Sequence, residues 1–280
     1  MNEQSPDRAE QSFEAKIQAI KSDWNAAMLE IVHAQYRHRG LDVPKMNESE
    51  MLERAPYLLE SATSPTEGQE PAKFIVLTAP TGVGKNTVGK RLEADGVAKL
   101  PRVNTRSIRP GEVEGKDYFF VDDVKFAEMV EHGEVFCATS TAEESKEAHG
   151  KGVELSGAAQ TQAGIPRAEF QAYLRSGQPF YIDSGAGTAR KIKSEPAVQG
   201  LAYKTVFLLP PSIDEMLRRV LSRRQEEAGA GSDTTMSDVT LLDRLTIAVN
   251  HLRRSADTAD GYVVNDRVER AAKEIQRYYE

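Results

Sequence analysis

The chain has 280 residues, 28% charged and 39% apolar, which permits a sizeable core and points to one large domain with an extension. A formal charge of −7 excludes a general nucleic-acid or membrane-surface binder, so basic residues must act locally. The single cysteine, Cys137, excludes an intramolecular disulfide, and the polar N-terminus and the absence of a membrane-length apolar run give the expectation of a cytoplasmic protein.

Residues 1–10 read as disordered. From Gln11 to about Arg37, the apolar positions Phe13, Ile17, Ile20, Trp24, Met28, Ile31 and Tyr36 recur at helical spacing, and Gly40 ends one long amphipathic helix. Asn47 opens a second, shorter helix carrying Met51, Leu52, Leu58 and Leu59, and 61–71 is a linker by composition. Residues 1–70 thus form a helical extension without chemistry of its own. Its apolar stripe suits docking on the main domain or on a second copy, which would make a homo-oligomer.

Phe74 to Thr78 is an unbroken apolar or β-branched run, read as a buried strand of a parallel sheet. The chain then turns through Ala79, Pro80, Thr81, Gly82, Val83 and Gly84 into Lys85, Asn86 and Thr87, where an amphipathic helix begins. This is a phosphate-binding loop. Its glycines allow successive N–H groups to face one anion, the helix N-terminus adds its dipole, and Lys85 supplies a point charge for β- and γ-phosphates. Two positions depart from the strict pattern: Ala79 replaces the first Gly, and Asn86 the metal-binding hydroxyl, which leaves the metal ligands open.

Next come Arg102, Arg106, Arg109, Gly111, Glu112, Gly115, Tyr118 and Phe120. Two arginines three apart with a phenol nearby can clamp one phosphate through charge-assisted bonds. The spacing from Arg106 to Phe120 resembles the acceptor-binding arm of guanylate kinases. A helix is expected over Asp122–Gly133 and a strand over 134–139. Residues 139–163 read as a polar loop containing the solvated His149, and Gly164-Ile165-Pro166 as the start of a helix to Arg175. Phe180 to Asp183 is a short buried strand that places Asp183 at its carboxyl end, where ligands bind in α/β sheets. Ala202–Leu209 is another strand, and the helix after Ser212 carries Arg218, Arg219, Arg223 and Arg224. Residues 225–240 read as a lid, followed by a helix with Arg244, a strand at 261–266 and a closing helix.

The resemblance to guanylate kinases covers about residues 73–280. It implies an α/β P-loop nucleoside-monophosphate-kinase fold over 71–280, with a parallel sheet flanked by helices, a lid and an acceptor arm. It also implies ATP-dependent transfer to GMP with Mg²⁺. Lys85 and the loop 80–87 would hold the ATP phosphates, and Asn265 would lie near the adenine. Arg106, Arg109 and Tyr118 would bind the acceptor phosphate, Arg224 and Arg244 would arrive from the lid, and Asp183 would arrange metal water or bind the acceptor. The guanine-reading positions depart from the family: Arg102 replaces a serine, Cys137 a glutamate, Ala163 a tyrosine and Gly185 an acid, with Glu143, Glu144 and Glu154 available as substitutes. Arg102 is therefore placed with the acceptor. Two other readings compete: a relative of ribose 1,5-bisphosphate phosphokinases, with a non-nucleobase acceptor, and a non-catalytic binding module.

Overall fold

The computed structural model describes residues 6–109, 111–140, 143, 161–229 and 237–280, with backbone alone at 6–10, 223, 224 and 226–229. The chain begins with helices α1 (Pro6–His38) and α2 (Glu48–Thr63), then β1 (Phe74–Thr78), α3 (Lys85–Ala94), β2 (Ala98–Lys99), β3 (Arg102–Asn104) and β4 (Tyr118–Phe120). It continues through α4 (Asp123–Glu131), β5 (Val135–Ser140), β6 (Gln162–Pro166), α5 (Arg167–Ser176), β7 (Phe180–Ser184) and α6 (Ala186–Ile192). The last part is β8 (Tyr203–Leu209), α7 (Ile213–Gly229), α8 (Asp238–Thr258), β9 (Gly261–Val264) and α9 (Val268–Gln276).

All five residues of β1 are buried, because this strand is the middle of a parallel sheet ordered β2-β7-β1-β8-β9 with helices on both faces. Alternate side chains feed opposite cores. Phe74 and Val76 pack with Phe170, Phe180 and Ile182, whereas Ile75 and Leu77 join Val88, Leu92, Leu252 and Val263. The Phe74 ring stacks on Phe180 and Tyr203 at 5.3 and 5.1 Å. A second sheet, ordered β4-β3-β6-β5, is held by Val103 and Val135 against Phe126 of α4, and it stands over the carboxyl end of the first. This is the α/β fold with a parallel sheet flanked by helices that the motifs predict.

Gly164, Ile165 and Pro166 belong to strand β6, and the helix begins only at Arg167. Gly164 pairs with Val103 of β3, and any Cβ there would run into the Val135 side chain. Cross-strand packing thus overrides a local helix-start signal. At the other end of the chain, α1 begins at Pro6, inside the stretch read as disordered.

The N-terminal helices dock on the main domain. Trp24, Ala27, Met28, Ile31 and Val32 of α1 are at most 2% exposed, and they share one core with Leu245, Val249 and Leu252 of α8. The helix start read at Asn47 is a capping box: its side chain accepts from Glu50 N at 3.0 Å while Glu50 accepts from Asn47 N. Helix α2 lies along the sheet's edge strand β9 and takes up its outward donors. Tyr262 N donates to Thr63 Oγ1 at 2.9 Å, and Val264 N donates to Glu60 Oε1 at 2.8 Å. Arg270 of α9 then closes on Glu60 at 2.8 Å. An uncovered edge would be a template for pairing with other chains, and α2 removes it. The stripe considered for a second copy is therefore spent within the chain.

This docking predicts that the extension and the sheet unfold together. Leu59→Ala, at a fully buried site on α2, should cost about 2–5 kcal/mol. Trp24, the only tryptophan, and far-UV circular dichroism should report one coincident transition in urea. Two separated transitions would show that the helices are a detachable unit.

Candidate active site

Past β1, the chain passes through buried Ala79 and Pro80 to Gly82 and Gly84, both left-handed with φ of 78° and 92°. Gly84 is the N-cap of α3, so Lys85 starts the helix and the helix N-terminus opens at the loop. Neither glycine has room for a side chain: a Cβ on Gly82 would collide with Val220 of α7, and one on Gly84 would lie 2.8 Å from the Asn265 amide.

The loop hangs on the Val83 carbonyl, which accepts from Asn265 Nδ2 at 2.7 Å and from Arg219 Nη1 at 3.0 Å. Arg219 also donates to Asn265 O at 3.1 Å, and Glu215 orients it at 2.7 Å. Asn265, read from the resemblance as lying near the adenine, is 3% exposed, and its amide nitrogen is engaged with the loop. Arg219 reads from sequence only as one of four arginines on its helix. Its spacing four residues after Glu215 was the available signal.

Asp183 pairs in register with Leu77 at the carboxyl end of β1, directly below the loop. Lys85 Nζ lies 2.5 Å from Asp183 Oδ1 and donates to the Ser184 carbonyl at 2.6 Å. Burial pushes the Asp183 carboxyl up, but the charges of Lys85, Arg102 and Lys99 outweigh it and hold the group below the usual carboxylate range. It is ionised at neutral pH. Asn86 and Thr87 stand exposed on the first turn of α3, and Asn86 lines the same cleft as Asp183. Among the described residues, no group of three or more His, Cys, Asp or Glu side chains gathers to hold a metal.

The far wall of the cleft is the arginine arm. Glu112 binds both terminal nitrogens of Arg106, with Nη1 to Oε2 at 2.6 Å, and accepts from Arg109 N at 2.9 Å. The Arg106 guanidinium lies over the Tyr118 and Phe120 rings at 5.0 and 5.3 Å. Arg106 is thus preset, while Arg109 is exposed and lines the cleft with Tyr118, Glu112, Lys99 and Asp183.

Behind this lining, Arg102 of β3 is 9% exposed and stands in register with Tyr118 of β4. Its Nη1 reaches Thr188 Oγ1 of α6 at 3.4 Å, and its buried Nε has no hydrogen-bond partner. Cys137 sits at the irregular β5–β6 pairing with φ of 50°, and burial pushes its thiol up to about 12, so it is no ionised acceptor at neutral pH. Ala163 faces Asn104 across β6 and β3, and Gly185 immediately precedes α6. Glu143 pairs with Lys191 at 3.3 Å. His149, Glu144 and Glu154 lie outside the described residues, as does the side chain of Arg224. Arg244 stands in the second turn of α8. On the same helix, His251 is a buried titratable residue that motif reading misses. Its Nε2 is buried without a partner, and burial, with the charges of Lys85 and Arg254, drives the imidazole down to about 4.

The sequence matches known proteins. The sequence model of the family described as guanylate kinase matches residues 71–280. The guanylate kinase of Myxococcus xanthus is 34% identical over 209 residues, 74% of this chain and 85% of that protein. That of Novosphingobium aromaticivorans is 32% identical over 199 residues, 70% of this chain and 76% of that protein. The crystal structure of guanylate kinase from Anaplasma phagocytophilum aligns with a TM-score of 0.49 at 23% identity, covering 74% of this chain and 84% of that one. Neither the sugar-bisphosphate reading nor the non-catalytic one gains support from these relatives. Among the described residues, no helix is long and apolar enough to cross a membrane. With a glycine loop whose lysine pairs with Asp183, an arginine arm lining one cleft with that carboxylate, and this match over three quarters of its length, the chain is a nucleotide kinase and belongs to the guanylate kinase family.

Proposed function

We propose that this protein transfers the γ-phosphoryl group of ATP to GMP in the cytoplasm, yielding ADP and GDP. The observation that carries the proposal is that Asn86, Arg109, Tyr118 and Asp183 line one cleft, with Lys85 of the phosphate loop at the back of it. A donor phosphate on the loop and an acceptor phosphate on the arm would meet above Asp183.

Such a reaction asks the protein mainly for positioning and charge neutralisation. Loop amides 82–85 and Lys85 would hold the β- and γ-phosphates. Arg109, with Arg106 and Tyr118, would aim an oxygen of the GMP phosphate at the γ-phosphorus. That oxygen forms the new bond as the bond to the ADP oxygen breaks. Arg224 and Arg244, on the helices flanking the lid segment, would neutralise the transferring group. The chain fits Mg²⁺ held largely by phosphates and water: position 86 offers an amide, and the Asp183 carboxylate stands ionised beside Lys85. An ion held beside Asn86 and Asp183 would supply charge neutralisation for the phosphates.

Lys85→Met should lower kcat by about a hundredfold or more. It also strands a buried carboxylate, so stability should fall by about 3–5 kcal/mol. Adding Asp183→Asn should recover most of that stability without restoring turnover, as seen by thermal melts beside a coupled ADP assay with GMP. Full turnover in Lys85→Met at saturating ATP would remove the kinase assignment of the loop.

Arg109→Ala should raise KM for GMP about tenfold or more and leave KM for ATP unchanged, since it removes a charged hydrogen bond on one substrate only. An equal effect on both substrates would contradict its place on the acceptor side.

Acid stability should depend on His251. Its folded pKa lies near 4, below an ordinary unfolded value of about 6.5, so the unfolded chain gains the proton first. Stability should fall as pH drops from about 6.5 to about 4, and His251→Gln should flatten that limb in urea titrations. An identical slope in the variant would assign the acid loss to other groups.

A further inference from the structure

Behind the arm's wall of the cleft, next to Tyr118 and Asp183, lies an unmet donor. The carboxylates lining the cleft are already engaged: Glu93 accepts from Tyr181 OH at 2.9 Å, Glu112 from Arg106 and Arg109, and Asp117 from Val113 N at 2.9 Å, while Asp183 faces Lys85. Asn104 Oδ1 accepts from Arg106 N at 3.0 Å. Arg102 is the opposite case. It is the register partner of Tyr118, so both side chains leave the sheet on the same face, and its charge reaches Asp183. The guanidinium is nine-tenths buried, held at one end by Thr188, with its Nε–H unpaired. A buried donor without an acceptor is costly, and a substrate that brings an acceptor relieves that cost.

Guanidinium can only donate. It therefore cannot recognise the N1–H or the 2-amino group of guanine, and it suits the carbonyl oxygen at position 6, with N7 beside it. We propose, on the reading of the acceptor as a purine nucleotide, that Arg102 is the specificity residue for its base. In this role it reads the 6-oxo group and leaves position 2 unread. The substrates would then be 6-oxopurine nucleoside monophosphates as a class, with IMP accepted beside GMP. AMP is excluded, because its 6-amino group would set donor against donor.

The test is kcat/KM for GMP, IMP and AMP, with ribose 1,5-bisphosphate as a fourth acceptor, in the wild-type full chain and in Arg102→Ser and Arg102→Lys. In the wild type, IMP should fall within about tenfold of GMP and AMP at least about a hundredfold below it. Arg102→Ser should shrink the GMP-to-AMP ratio by about tenfold or more, with Arg102→Lys intermediate, whereas a merely structural role would lower all acceptors together. The wild-type ratios test the proposal even if the variants fail to fold. GMP turnover with IMP more than about tenfold lower would overturn this inference alone, because position 2 would then be read. An unchanged GMP-to-AMP ratio in a folded Arg102→Ser would overturn it too. Turnover of the sugar bisphosphate with none of the three nucleotides would overturn the GMP assignment and this inference with it.

Discussion

The Val83 carbonyl is the point from which the phosphate loop is suspended. A glycine-rich loop left free would sample many conformations, and ordering it at the moment of binding would cost affinity. Here Asn265 and Arg219 hold that carbonyl from two directions, and Arg219 is itself fixed by Glu215 and by the Asn265 carbonyl. Three separate parts of the chain, the loop, α7 and the end of β9, are thereby locked together. With Gly82 packed under Val220, the loop's backbone has little freedom left, and its amides are set before a nucleotide arrives.

The same logic extends outward. Asn265 directly follows the edge strand β9, and α2 takes up the outward donors of that strand through Thr63 and Glu60. Helix α1 packs against α8, which carries Arg244 and His251. Among the described residues, no side chain of the N-terminal helices lines the cleft. These helices support the two elements that the cleft depends on, and their removal would bare an edge strand and the apolar face of α8.

Much of this was legible in the sequence. The unbroken run Phe74–Thr78 followed by Gly82, Gly84 and Lys85 admits few other structures, and the order Arg106, Arg109, Gly111, Glu112, Tyr118 carries the resemblance to guanylate kinases. What escaped depends on contacts between distant segments. The Lys85–Asp183 pair, the Arg219 clamp and the orphaned nitrogens of Arg102 and His251 all arise where the fold brings remote residues together. Strand β6 escaped for a related reason. Gly-Ile-Pro is a sound local helix-start signal, and only its neighbours β3 and β5 make it a strand. Helix α6 was also unforeseen, since Ala186–Ile192 is short and rich in small residues without an apolar period.

We propose a division of one cleft into a donor side on the loop and an acceptor side on the arm. Residue-resolved amide hydrogen exchange tests it most directly, with each nucleotide added separately. ATP with Mg²⁺ should slow exchange in residues 80–87 and leave the arm at 102–120 unchanged, while GMP alone should protect the arm and not the loop. Protection of the loop by GMP, with the arm unaffected by either nucleotide, would contradict the account.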